Sequence, residues 1–462
     1  MWPGHFDSCP TQTPIFGKRS LNACKPEKER RFFIDLNQLN QAQYEAVTLD
    51  PARNGAIIAG PGTGKTRVLT FRIAALLEQE MDPQSIVAVT FTNKAAGEMR
   101  NRLGELVGKA QAIHVRLHTF HGLGLKLVQK YGSILGYTDP SKIRPIDTED
   151  ATALLRRLIK NRLTDTEQKV HKPSILMKQI TDWKDAGKLP DTVKIDGNSE
   201  LAQMQRIALS LYPLYEKEKL QSGVVDFADM IIMPVRIFDI RPEVTERFHR
   251  SLQQILVDEF QDTNPLQMRL LEQLSNRGES VPCFVVGDDD QSIYGFRGAT
   301  SGIFRYYLER FPDPALIRLE QNYRCNPLIL EAANTVIANN QERIGKTLFT
   351  DNQVADFLTV LSSQDDKEEA NRIANLARQQ IEAGIPPNEI AILFRKNAHT
   401  RPFEEALFRA GVPYRILGGT PFFARKEIKD ALAYLRLVFS TEDNEAFRSE
   451  ERRVGKECRS RW

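Results

Sequence analysis

The chain has 462 residues, 63 Lys+Arg against 60 Asp+Glu, and 41% apolar side chains. That is enough for roughly three domains of about 150 residues, and it excludes a disordered or fibrous polypeptide. No run approaches the roughly 18 to 20 uncharged apolar residues of a membrane-crossing helix, and the N-terminus lacks the basic, apolar and small-residue order of a secretory signal. The five cysteines, Cys9, Cys24, Cys283, Cys325 and Cys458, form no C-x-x-C pair, which argues against a zinc site or disulfide framework and fits a soluble protein of a reducing cytoplasm. The net charge of +3 is concentrated at the end: residues 448–462 hold six basic and three acidic side chains, leaving 57 of each in the body. A nucleic-acid footprint, if there is one, must be local.

Along the chain, residues 1–30 carry Pro, Gly, Ser, Thr and Cys without apolar periodicity and read as a mobile extension. In 31–118, apolar runs such as Ala56-Ile57-Ile58-Ala59 and Ile86-Val87-Ala88-Val89 alternate with a helical pattern on Leu69, Ile73, Leu76 and Leu77. That alternation predicts a parallel α/β sheet. From 119 to 222 the text is helical, which predicts an insertion. Strand-like runs resume at Gln254-Ile255-Leu256-Val257, Cys283-Phe284-Val285-Val286 and Leu316-Ile317-Arg318-Leu319, so the same sheet is expected to be completed after it. The first α/β domain therefore occupies 31–118 and 223–315. A second α/β stretch, 316–447, offers Phe357-Leu358-Thr359-Val360, Ile390-Ala391-Ile392-Leu393 and Tyr414-Arg415-Ile416-Leu417 as strands.

Two segments carry chemistry. Ala59-Gly60-Pro61-Gly62-Thr63-Gly64-Lys65-Thr66 stands between a predicted strand and a predicted helix, the context a phosphate-binding loop requires. Glycines let backbone N–H groups face phosphates, Lys65 offers charge to the β- and γ-phosphates, and Thr66 offers a hydroxyl to Mg²⁺. In Ile255-Leu256-Val257-Asp258-Glu259-Phe260-Gln261-Asp262, an apolar strand delivers two carboxylates at its C-terminal end. Asp258 there suits Mg²⁺, and Glu259 suits the alignment and deprotonation of a water.

Beyond these, Asp258-Glu259-Phe260-Gln261-Asp262-Thr263-Asn264, the run from Gly287 through Gln291, Tyr294, Phe296 and Arg297 to Ala299, and Leu319-Glu320-Gln321-Asn322-Tyr323-Arg324 resemble motifs II, III and IV of the UvrD/Rep/PcrA-type superfamily 1 DNA helicases. Leu39-Asn40 with Gln43 resembles the family's Q motif, Thr90-Phe91-Thr92-Asn93-Lys94-Ala95-Ala96 its motif Ia, and His118-Thr119-Phe120-His121-Gly122 its motif Ib. Gly418-Gly419, Phe422-Phe423 and residues 425–430 resemble a later motif of the second motor domain.

The resemblance implies a P-loop NTPase (RecA-like) α/β fold, with a parallel-sheet motor domain, a helical insertion and an incomplete second RecA-like domain. It implies ATP and Mg²⁺, held by Gly60, Pro61, Gly62, Thr63, Gly64, Lys65 and Thr66. Gln43 would read the adenine edge, and Arg67 and Tyr323 would sandwich the ring. Gln291 and Arg324 would meet the γ-phosphate beside Lys65 and Glu259. Phe91, Thr92, His121, Tyr294, Phe296 and Arg297 would face single-stranded DNA, whose bases stack on aromatic faces without sequence readout. Phe296 stands where the family usually has Trp.

Residues 156–188 hold nine Lys+Arg and four Asp+Glu. They suit duplex contact at a junction, aided by the family-like Ile180, Trp183, Lys184 and Gly187, or a solvated helical face. The expected function is an ATP-dependent 3′-to-5′ DNA helicase and single-strand translocase, monomeric and cytoplasmic. The alternatives are a DNA-dependent ATPase that displaces proteins, or a nucleotide-gated single-strand-binding module; a small-molecule kinase leaves the aromatics unexplained. The family text stops near 447. Residues 448–462, which back-translate to a sequencing-adapter sequence, are expected to be a non-native tail on a truncated, inactive motor.

Overall fold

The computed structural model describes residues 34–293, 302–340, 343–353, 357–396, 399–417, 431, 432 and 435. Tyr294, Phe296 and Arg297, the motif at 418–430, the extension 1–30 and the tail 448–462 lie outside the described residues.

Six strands form one parallel sheet: β1 (Gly55–Ala59), β2 (Ile86–Thr90), β3 (Arg116–Thr119), β6 (Gln254–Val257), β7 (Cys283–Gly287) and β8 (Ala315–Leu319). Their order is β3-β2-β6-β7-β1-β8, with Ile57 opposite Val286 on one side and Ile317 on the other. The two outer strands are only partly buried, but β1, β2, β6 and β7 are buried throughout, as unbroken apolar runs covered on both faces should be. Alternation along β1 sends Ala56 and Ile58 into one core and Ile57 and Ala59 into the other.

The second core is closed by α1 (Gln41–Thr48), α2 (Lys65–Glu78), α3 (Asn93–Val107) and α4 (Lys109–Ala112). The first is closed by α5 (Phe120–Tyr131) and, after the insertion, by α10 (Asp229–Ile240), α11 (Pro242–Ser251), α12 (Pro265–Ser275) and α13 (Ile303–Arg310). α5, expected in the insertion, belongs to the sheet. It crosses α10 so closely that a Cβ on Gly124 would fall 1.7 Å from the Met230 carbonyl oxygen.

The insertion has its own apolar core, running from Ile146 to Val224 and built on α6 (Thr148–Arg162), α8 (Pro173–Asp185) and α9 (Glu200–Gln221); α7 (Asp165–Val170) links the first two. Its ends are tied by a short parallel ribbon, β4 (Arg144–Pro145) and β5 (Val224–Val225).

β8 completes the first sheet, so the second unit begins beyond Leu319, past the boundary expected at 316. There α14 (Pro327–Ile337), α15 (Asp366–Glu382) and α16 (Thr400–Arg409) form, the last two around a small core with Ala370, Ala374, Phe403 and Leu407. The strands expected at 357–360, 390–393 and 414–417 are absent: those segments form no regular secondary structure, with Phe357, Val360 and Leu393 each more than 90% exposed. An apolar, β-branched run makes a strand only against paired neighbours, and although 390–393 and 414–417 line one cavity with α15 and α16, no ladder joins them. The second sheet is therefore not present among the described residues.

Candidate active site

The loop from β1 to α2 turns on Gly62 (φ +69°) and Gly64 (φ +89°), which hold left-handed backbone that β-carbons disfavour. Thr63 closes it from within, its hydroxyl donating to the Gly60 carbonyl at 2.8 Å. Two distant segments brace it from outside. Gln43 Nε2 donates to the Thr63 carbonyl at 2.8 Å, while Gln43 Oε1 accepts from the Asn40 N–H in the capping box that starts α1. From beyond β8, Asn322 Nδ2 donates to the Pro61 carbonyl at 2.6 Å and the Tyr323 N–H donates to the Gly62 carbonyl at 3.0 Å. A Cβ on Gly62 would lie 2.7 Å from Arg324 Cβ, so Gly is needed there for approach as well as for conformation.

β6 ends at Val257 and presents Asp258 and Glu259 beside the loop. Lys65 Nζ lies 2.7 Å from Glu259 Oε2, which also accepts from Gln261 Nε2 at 2.9 Å. Burial opposes ionisation of Glu259, but Lys65 and Gln261 outweigh it and hold the carboxyl below its ordinary range. Glu259 has φ +49°, left-handed for a residue with a side chain, the kind of local strain that clusters at working sites. Asp258 is buried and has no cation of its own; burial, then the charge of Glu259, push its carboxyl up to about 7. A buried carboxylate short of positive charge, on the phosphate side of a loop whose Thr66 is half-buried, fits Mg²⁺.

Gln291 follows β7, its Nε2 donating to Asp288 Oδ2 at 2.7 Å, and the Asp288 N–H donates to Gln261 Oε1 at 2.9 Å. A continuous polar chain thus runs from Lys65 through Glu259, Gln261 and Asp288 to Gln291. On the loop's flank, Arg67 is exposed and held by the carbonyl and side chain of Gln38 at 3.1 and 3.2 Å. Tyr323 is 57% exposed, its hydroxyl donating to Gln321 Oε1 and accepting from Asn40 Nδ2, each at 2.8 Å. Arg324 is exposed beside them.

Of the expected DNA-facing residues, Phe91, Thr92 and His121 are described, and they sit just beyond the C-terminal ends of β2 and β3. Phe91 is half-buried and Thr92 exposed, the Thr92 hydroxyl also capping α3 by accepting from the Ala95 N–H at 3.1 Å. His121 stands edge-on to the exposed ring of Phe227, centroids 6.1 Å apart. Burial lowers its pKa, so it offers a neutral ring rather than a charge.

In the insertion the expected help from Ile180, Trp183 and Lys184 in duplex contact is corrected. Ile180, Trp183 and Lys184 are all buried. Lys184 pairs with Asp226 at 2.7 Å, Glu216 at 3.0 Å and Asp229, next to a second buried lysine, Lys219. Lys178 and Lys188 remain exposed. The sequence motifs contained Asn40, Gln261 and Asn322 but assigned them no role, although the Asn40–Gln43 capping spacing was a signal for the first; Gln38 and Lys346, whose partners Arg67 and Asp288 to Asp290 lie elsewhere in the chain, were not singled out.

Comparison with known proteins adds to this geometry. The model of the UvrD/REP helicase N-terminal domain matches residues 39–312, and that of the UvrD-like helicase C-terminal domain matches 317–459. The chain is 41% identical over 413 residues to DNA helicase II of Escherichia coli (strain K12), covering 89% of this chain and 56% of that protein. It is 40% identical over 416 residues to DNA helicase II of Haemophilus influenzae, covering 89% and 56%. With ATP-dependent DNA helicase PcrA of Leuconostoc citreum it shares 37% over 416 residues, covering 89% and 54%. The chain thus spans about half the length of the curated relatives it matches.

Proposed function

This chain belongs to the UvrD/REP helicase family, and on that premise we propose that it is an ATP-hydrolysing motor acting on DNA, moving 3′ to 5′ along a single strand toward a duplex junction as a cytoplasmic monomer. The observation that carries this reading is the Lys65–Glu259 pair at the mouth of the phosphate loop, with Asp258 buried and uncompensated behind it. Among the described residues no helix is long and apolar enough to cross a membrane.

The polyphosphate would lie along the N–H groups of 60–65 at the start of α2. Its charge draws the Lys65 ammonium from Glu259, which frees that carboxylate to align a water and take its proton as the water oxygen bonds to the γ-phosphorus and the bond to the leaving ADP breaks. Thr66 and Asp258 would hold Mg²⁺, which neutralises phosphate charge when bound. Gln291 and Arg324 supply donors to the γ-phosphoryl oxygens as charge shifts in the transition state. Gln43 keeps one N–H and one lone pair for a purine edge while bracing Thr63, and the exposed Arg67 and Tyr323 offer flat faces to the ring. Phe91, Thr92 and His121, with Tyr294, Phe296 and Arg297, would face the strand.

Two substitutions test the assignment by failing differently. Lys65→Ala deletes a phosphate contact and is expected to weaken ATP binding by roughly tenfold or more. Glu259→Gln keeps shape but loses the base, so ATP binds and persists while turnover falls by about 10² to 10⁴. Equal loss of ATP affinity in both, measured by titration with a fluorescent ATP analogue, would sink the assignment. Failure of poly-dT to stimulate hydrolysis would remove the DNA half of it.

A further inference from the structure

β7 runs into three consecutive carboxylates, Asp288, Asp289 and Asp290, whose oxygens lie within 4.8 Å of one another. The charge between them is an ammonium. Lys346 Nζ lies 2.5 Å from Asp288 Oδ1, 3.0 Å from Asp289 Oδ1 and 2.6 Å from Asp290 Oδ2, with its side chain 2% exposed. Arg343 adds an ion pair to Asp290 at 2.9 Å, and the Ile344 N–H donates to Asp289 Oδ2 at 2.8 Å. Burial works against the ammonium, yet Asp288 and its neighbours hold the Lys346 pKa above the ordinary value.

The segment 343–349 that brings this lysine touches three parts of the nucleotide site. Asp288 takes Lys346 and the Asp290 N–H on Oδ1 and Gln291 on Oδ2, so the ammonium fixes the carboxylate that fixes Gln291. Leu348 closes over the phosphate loop, where a Cβ on Gly60 would fall 2.4 Å from Leu348 Cδ2. Phe349 pairs with the start of the Asn322–Arg324 segment: its N–H donates to the Glu320 carbonyl at 3.1 Å and its carbonyl accepts from the Asn322 N–H at 2.7 Å. The Thr347 N–H adds a bond to Glu320 Oε1 at 2.8 Å.

We propose that Lys346 is a positioning residue for γ-phosphate recognition: it orients Gln291 through Asp288, and the strap 343–349 links that orientation to the Asn322–Arg324 segment across the phosphate loop. The proposal rests on the reading that the loop binds ATP. A change at the γ-phosphate then reaches both walls of the site through one salt-bridged strap, a discrete connection rather than a diffuse one.

Amide hydrogen exchange on the full chain with and without Mg²⁺ and ATPγS tests this. In the unsubstituted protein, the nucleotide is expected to slow exchange by roughly fivefold or more at 60–66, at 288–293 and at the bonded amides of Ile344 and Thr347. Lys346→Met is expected to keep ATPγS affinity within about threefold while losing the protection at 288–293. Lys346→Arg restores most of it, and Arg343→Met, which removes the brace on Asp290 and a bond to the Lys346 carbonyl but keeps the ammonium on Asp288, leaves it in place. A folded Lys346→Met protein with full protection at 288–293 overturns the proposal, and so does equal loss in all three variants. Should Lys346→Met not fold, the unsubstituted chain decides: protection at 60–66 and 288–293 without change at 344–349 removes the link. No protection at 60–66 refutes nucleotide binding itself, and the proposal with it.

Discussion

In the insertion, Lys184 and Lys219 face Glu216, Asp226 and Asp229 inside the apolar core. Asp226 Oδ2 alone accepts from Lys184 at 2.7 Å and from Lys219 and the Tyr215 hydroxyl at 2.9 Å each. At the end of β6, Lys65 alone serves Asp258 and Glu259. Burial raises the cost of every charge in both places. In the insertion the two ammonium groups overcome it for Asp226, whose carboxyl is held far below its usual range, but not for Asp229, whose carboxyl burial and then the charge of Asp226 push up to about 6. In the active site nothing overcomes it for Asp258, whose carboxyl stays near 7. The sealed cluster sets two ammonium groups against three carboxylates and ties α8 and α9 to the segment entering α10. The site at the sheet is left short of positive charge, which is what a site that must admit a cation and a polyphosphate needs.

The contrast predicts opposite responses to removal of one charge. Lys219→Met leaves three buried carboxylates with one lysine and is expected to destabilise the protein by about 3 to 5 kcal/mol, read as a lower urea midpoint; an unchanged midpoint would show that the cluster is hydrated and the contrast false. Asp258→Asn is expected to stabilise the nucleotide-free protein. Because the folded-state pKa of Asp258 is raised, the native chain holds a proton through the range where the unfolded chain has released it. Stability from that proton is full below the unfolded value near 4 and lost as pH rises through about 7. The gain from Asn should therefore be on the order of 2 to 4 kcal/mol at pH 8 and shrink at pH 6, while hydrolysis is lost. Thermal unfolding at the two pH values gives the sign directly, and a loss at pH 8 would break the comparison. The smallest effect is expected outside both clusters. Lys178, 74% exposed and paired with Asp182 at 2.5 Å, should tolerate charge reversal within about 0.5 kcal/mol. If the exposed face of α8 meets duplex phosphates, Lys178→Glu with Lys188→Glu should flatten the log–log salt dependence of duplex binding by about 0.9 per lost contact; an unchanged slope assigns that face to solvent.

These clusters also mark how far the sequence could be read. The phosphate loop and the Asp258-Glu259 pair were legible because phosphate chemistry dictates residue types at fixed short spacing, and the α/β alternation marked five of the six sheet strands in advance, β3 excepted. Lys184 was misread as a DNA contact because the carboxylates that bury it lie 32 to 45 positions further along, at Glu216, Asp226 and Asp229. α5 was placed in the insertion because helical periodicity shows that a face is buried and not which core receives it. The runs at 357–360 and 390–393 show the converse limit, since strand composition was plain and pairing partners were not. The clasp of Lys346 on Asp288 left no local trace at all.

The strand order has a consequence in time. β1 is the first of these six strands to leave the ribosome, yet its neighbours in the sheet are β7 and β8. At about 5 to 20 residues per second, the stretch between β1 and β7 takes roughly 10 to 45 s to synthesise. β2 and β3 can pair with each other in that interval, but neither borders β1. Throughout it, Ala56-Ile57-Ile58-Ala59 carries two open hydrogen-bonding edges, the arrangement that invites pairing with another chain. α2, in the same core as Ile57 and Ala59, can shield one face while the nascent chain waits; the Ala56 and Ile58 face has no such cover until α5 and, much later, α10 arrive. An interior strand of this sheet is thus made first of the six and is among the last to be enclosed, and one of its edges stays open until residue 319 has been made.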